Sequence, residues 1–210
     1  MNIAIIGATG KAGTLITEEA IQRGHNVTAI VRSASKVKAS VNIVEKDLFD
    51  LTGEDLKGFD VVVNAFNAPE GKEHLHIEAG RVLTNALKDA PKTRLVVIGG
   101  AGSLFVDEDK TVQLLETPDF PKAYYATAYN ASLSLKELQN TEGLNWTYIS
   151  PAAFFDPEGS KTGTYQTGKD HFIVNAEGQS YISYADYAIA LLDEVEEPKH
   201  INERFAVVSK

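Results

Sequence analysis

Three glycines, in the run Gly7-Ala8-Thr9-Gly10-Lys11-Ala12-Gly13, have the plainest chemical meaning in this 210-residue chain. They follow the apolar stretch 2–6 and precede a segment that carries Leu15, Ile16, Ala20 and Ile21 at helical spacing. The pattern predicts a buried strand, a tight turn and a helix that opens on the turn. In such a turn Gly7 reverses the chain, Gly10 lets the backbone approach a ligand with no Cβ in the way, and Gly13 lets the helix lie close to the strand. The free N–H groups and positive dipole end of the helix then hold a phosphate, with Thr9 and Lys11 beside it. No acidic residue stands between Gly7 and Leu15, and Glu18 is more than a turn inside the helix, so an anion meets no repulsion. The chemistry predicted is capture of a dinucleotide by its diphosphate.

Further residues address the rest of that ligand. The second apolar run ends in Ile30-Val31-Arg32-Ser33, where a site selective for NAD usually places a carboxylate against the ribose 2′-hydroxyl. A guanidinium at Arg32 instead pairs with a 2′-phosphate and stacks on adenine, with Ser33, Ser35 or Lys36 completing the pocket, so NADP(H) is preferred over NAD(H). Asp47 and Leu48 are placed to flank adenine, the first by accepting from its amine and the second by packing; a turn cap is the other reading of Asp47. Asn64, at the end of a further strand, is expected beneath the cofactor ribose or as a strand terminator.

The elements that must position these groups alternate along the chain. Strands are predicted at 2–6, 26–31, 41–45, 59–65, 94–99 and 145–149, and helices at 11–24, 53–57, 72–90 and 124–142. Repeated βα crossovers give a doubly wound parallel sheet of the Rossmann type, with helices on both faces and its crevice at the carboxyl ends of the strands. Residues 1–210 are expected to form one such domain, with residues 151–180 as a small substrate-side elaboration. The long connections 99–123 and 151–180 both follow strand ends and are expected to overhang the crevice. Phe154, Phe155 and Tyr165 are candidates for an apolar wall against a planar ring, or for anchors of their loop. A last helix starts near 183–186, with Asp186 as a capping residue; 194–197 reads as a solvated acidic end and 204–208 as a final strand.

Composition removes several functions. A net charge of −9 disfavours nucleic acid and anionic membrane surfaces as partners. The absence of cysteine excludes disulfides, thiolate zinc sites and cysteine nucleophiles. His74 and His76, two apart on a helix, point to different faces, and no metal is assigned. No apolar run is long enough for a bilayer and no export signal is evident, so a cytoplasmic location is expected. The expected partner is a small planar acceptor; nothing in the sequence sets an oligomeric state.

With Gly-Ala-Thr-Gly-Lys-Ala-Gly, Val-Arg-Ser, Val-Val-Ile-Gly-Gly-Ala-Gly-Ser-Leu and Asn-Trp-Thr-Tyr-Ile-Ser-Pro-Ala in that order, nearly the whole chain resembles the atypical short-chain dehydrogenases/reductases. Within them it is most similar to the NAD(P)H-dependent flavin reductases, related to biliverdin-IXβ/flavin reductase and to the NmrA-like proteins. The resemblance implies a soluble oxidoreductase with Gly99 beside the cofactor and Ser103 near the nicotinamide or the acceptor. A histidine that the resembling reductases carry after the sixth strand falls here at Ala152 or Ala153. The Tyr-x-x-x-Lys pair of ordinary short-chain dehydrogenases is also missing: four residues after Tyr124, Tyr125 and Tyr129 stand Ala128, Tyr129 and Leu133. Reduction of a flavin or quinone does not need that pair, because the protein mainly orients the rings and excludes solvent while water supplies the proton. The alternative implied by the resemblance is a non-catalytic NmrA-like sensor of NADP(H) redox state.

Overall fold

The computed structural model describes residues 1–210 and is built on one eight-stranded sheet. In chain order its elements are β1 (Asn2–Ile6), α1 (Lys11–Gln22), β2 (Asn26–Val31), β3 (Asn42–Glu45), α2 (Gly53–Leu56), β4 (Val61–Asn64), α3 (Leu75–Lys88), β5 (Arg94–Ile98), α4 (Lys122–Gln139), β6 (Trp146–Ser150), β7 (Phe154–Asp156), β8 (Tyr165–Gly168), β9 (Tyr181–Ser183), α5 (Tyr184–Glu196) and β10 (Glu203–Ser209). The strand order is β3-β2-β1-β4-β5-β6-β10-β8, parallel except for β8, which runs antiparallel to β10. The chain therefore starts in the middle of the sheet, winds outward to β3, then crosses back through β4 to the other side. The reversal leaves a crevice beside the end of β1, where the glycine turn lies.

The central strands are apolar along their whole length because helices cover both faces. Ile3, Ile5, Val61 and Val63 belong to a core shared with α1 and α5, whereas Ala4, Ile6, Val62 and Leu95 belong to a second core under α2, α3 and α4. Alternate residues of one strand thus serve opposite layers, and each buried aliphatic side chain contributes about 1.5–3 kcal/mol. Helix α1 buries Ile16 and Ala20 on the sheet and ends where the N–H groups of Gly24 and His25 close on the Ile21 and Ala20 carbonyls (2.9 and 3.0 Å).

Three expectations for the second half of the chain are corrected. Of residues 151–180, only the start overhangs the crevice; the remainder supplies β8 to the sheet edge, and β7 pairs with β9 in a small separate ribbon. Ser183, not Asp186, caps α5 by accepting from the Asp186 N–H (3.0 Å), while the buried Asp186 carboxylate binds the N–H groups of Thr162 and Gly163 and pins that loop. Glu194 is not solvated. It is buried with Arg94 (3.4 Å) and accepts from the His200 N–H (3.1 Å), since α5 ends against the N-terminal side of β5.

Candidate active site

The turn between β1 and α1 has the geometry its glycines predict. Gly7 adopts φ +76°, and a Cβ there would lie 2.6 Å from the Ala65 carbonyl oxygen. A Cβ on Gly13 would lie 2.2 Å from the Gly7 oxygen, so any side chain would push α1 off β1. Gly10 is the N-cap; no side chain caps α1 and no acid occupies its first turn. The Thr14 N–H is bonded to Gly10 (2.9 Å), whereas the N–H groups of Lys11, Ala12 and Gly13 have no protein acceptor. They border a cleft of about 710 Å³ along the carboxyl ends of the central strands, and its floor includes Gly99. The end of an intact helix with unmatched donors fits a diphosphate.

Next to this turn, Arg32 is exposed and forms no ion pair, and the Ser33 hydroxyl is 3.0 Å from that of Ser35. The same loop holds a carboxylate the sequence did not flag: Glu45 Oε2 accepts from the Ala34 N–H at 2.7 Å. The register that pairs Glu45 with Val31 is the signal that places it there. Asn64 is buried and its Oδ1 accepts from the Phe66 N–H (3.1 Å), which turns the backbone of 65–67 along the cleft. Asp47 caps a short 3-10 turn at 48–50 through the Phe49 N–H (3.0 Å), the turn-cap reading of this residue, and the Leu48 side chain is mostly buried in the core under α2 and α3.

The far end of the cleft differs from the expectation in three residues. Phe155 does line it, with its ring centroid 3.9 Å from that of Tyr184 and 4.8 Å from that of Tyr187. Phe154, its neighbour in β7, projects to the opposite side, is 61% exposed and packs on Tyr181, as strand alternation requires. Tyr165 lies in β8 opposite Ser209 and donates to Asp193 (2.6 Å), tying the sheet edge to α5. Ser103 is buried in a 3-10 turn at 101–103, where Arg204 Nη1 donates to its carbonyl (3.1 Å) and hydroxyl oxygens (3.3 Å). It does not line the cleft.

In their place stand Phe120, Tyr124 and His76. The spacing of Tyr124, Ala128 and Ala131, which share the cleft face of α4, is the signal that marks this wall. Burial holds the His76 imidazole below its ordinary pKa and raises the Tyr148 phenol to about 12; the Tyr184 phenol is raised for the same reason. These three lining groups are therefore uncharged at neutral pH.

The NAD(P)H-binding family matches residues 7–198, a span that includes the glycine turn and the whole cleft. The chain belongs to the NAD(P)H-binding family. Over 211 residues it is 65% identical to the uncharacterized protein YwnB of Bacillus subtilis, covering 100% of this chain and 99% of that one. It is 47% identical to a candidate NADH-flavin reductase from Streptococcus pneumoniae, whose crystal structure superposes over 100% of both chains with a TM-score of 0.96. The anaerobilin reductase ChuY of Escherichia coli O157:H7, 17% identical, shares the fold (TM-score 0.76, 100% of this chain and 97% of that one). Within this NAD(P)H-binding chain, the α1 end of the cleft is made from backbone and the rest of its wall includes aromatic side chains. No helix is long and apolar enough to cross a membrane.

Proposed function

We propose that the protein is an NADPH-dependent reductase that passes hydride to a flavin or quinone-like ring. The observation that carries this reading is the single cleft that joins the three unmatched amides of α1 to a wall of Phe120, Tyr124, Phe155 and Tyr184. The amides of Lys11, Ala12 and Gly13 bind the diphosphate, and Arg32, which lacks a protein partner, takes the 2′-phosphate. The similarity to an NADH-flavin reductase candidate supports the acceptor class; Arg32 argues for the phosphorylated coenzyme in this chain. When bound, the coenzyme supplies a hydride, which is two electrons and one proton, and water supplies the second proton of the reduced acceptor.

The aromatic wall orients the acceptor and excludes bulk water from it. Ala128 lies one turn beyond Tyr124 on the cleft face of α4, where an alcohol dehydrogenase of this superfamily would carry lysine. Gly102 approaches so closely that a Cβ on it would lie 2.7 Å from the Ala128 Cβ, which leaves little room for a longer side chain. The site is thus shaped for orientation of rings rather than for a tyrosine acid with an ammonium beside it.

Oxidation of NADPH should accelerate on addition of riboflavin, FMN or menadione, and Gly10→Asp should abolish the turnover. Tight coenzyme binding with no turnover on any flavin or quinone would instead identify a redox sensor.

A further inference from the structure

The acceptor end of the cleft carries almost no charge, and the charge it does carry is negative. Among all lining residues, the ionised side chains at neutral pH are Lys11 and Asp119. Lys11 opens α1 at the diphosphate end, so it is committed to the coenzyme. Asp119 stands with Thr117, Phe120 and Pro121 on the segment that leads into α4, and no hydrogen bond or ion pair neutralises it. The lining of the same cleft includes Leu114, Tyr124, Ala153, Phe155 and Tyr184. Lys122, the nearest cation along the chain, does not line the cleft. A phosphate or carboxylate on the acceptor would find no cation to pair with and would meet one carboxylate, in a protein whose net charge is already −9.

We propose that this end selects planar acceptors without an anionic substituent, a quinone or an unphosphorylated isoalloxazine in preference to FMN, FAD or a ring bearing carboxylates, and that Asp119 sets this preference. The inference rests on the reductase reading and narrows its substrate class. Riboflavin and FMN make the decisive pair, because they share the reacting ring and differ by one phosphate. Discrimination here is repulsive, through an unpaired charge rather than an added contact. Because Asp119 is exposed, the repulsion is screened by salt, and its removal is worth a modest factor.

The test measures kcat/KM for riboflavin and FMN with saturating NADPH, in wild type and in Asp119→Lys, at low and at moderately high salt. Riboflavin is expected to exceed FMN at least fivefold in wild type at low salt. Salt should narrow the ratio, and Asp119→Lys should narrow it at least threefold or reverse it. FMN equal to or better than riboflavin in wild type at low salt overturns the proposal while leaving the reductase reading intact. So does a ratio that neither salt nor Asp119→Lys moves. No turnover with either flavin or with menadione overturns the reductase reading and this proposal with it.

Discussion

The two ends of the cleft are built on different physical terms. The end proposed for the dinucleotide is main chain: a strand end, a left-handed glycine and the first amides of a helix, all fixed by sheet register and by the contact of Gly13 with Gly7. The end proposed for the acceptor is side chain, carried on the connection that enters α4, on β7 and on the start of α5. At Gly7 and Gly13 the backbone site tolerates almost no substitution because a Cβ collides with the fold itself. A side-chain site can change its ligand with one residue and leave the fold in place.

The largest effects should therefore fall at the glycines. Gly13→Val forces α1 away from β1 and is expected to cost about 3 kcal/mol, measured by urea unfolding; a loss below 1 kcal/mol would show that the helix can shift freely. Gly10→Asp, which puts a carboxylate at the unmatched amides, should leave the fold and weaken coenzyme binding by at least a hundredfold in titration calorimetry.

Next come the charges proposed to sort coenzymes. Arg32→Glu should lower the NADPH:NADH ratio of kcat/KM by at least tenfold, and Glu45→Gln should raise it a fewfold by removing the carboxylate held on the Ala34 N–H. An unchanged ratio in Arg32→Glu would refute the assigned role of the guanidinium.

Away from the cleft lining, Arg204 joins the Ser103 turn to Asp170 (2.8 Å), and Asp170 also accepts from Lys110 (2.8 Å). Burial pushes the Asp170 carboxyl up, but the hydrogen bonds from Lys110 and Arg204 outweigh it and leave it below its ordinary value. A carboxyl depressed on folding stabilises fully above its unfolded pKa, near 3.9, and the contribution fades as pH falls through the lower folded value. Asp170→Asn should cost about 2 kcal/mol at pH 7, with the difference from wild type vanishing in acid. A difference independent of pH would mean that packing, not charge, fastens this loop. The smallest effect is expected at Ser103 itself: with its hydroxyl turned to Arg204, Ser103→Ala should change kcat less than threefold, and a hundredfold loss would return it to the reacting centre.

Legibility followed the same division. The doubly wound parallel sheet and the glycine turn are readable because their strands, helices and turn depend on short-range pattern: apolar runs, helical periodicity and glycine spacing. Phe154 and Tyr165 are not, since a strand's alternation decides which of two adjacent aromatics faces a ligand, and pairing of β8 with β10 decides that Tyr165 meets Asp193. The contact of Ser103 with Arg204 is not legible because the two are 101 residues apart in the chain. How deeply Leu48 packs into the core is likewise not legible from its neighbours alone, because α2 and α3 decide it. The place of Phe120 and Tyr124 in the cleft wall is not legible because the wall forms only when the 99–121 connection folds back on α4, where Gly102 meets Ala128.

The central claim is that the free amides at the start of α1 hold an adenine dinucleotide. Titration of the purified chain with NADPH and NADH, followed by calorimetry, addresses it most directly. One saturable site per chain, tighter for NADPH and lost in Gly10→Asp, is the result expected. No heat of binding with either coenzyme at millimolar concentration, from a protein shown to be folded, would contradict it.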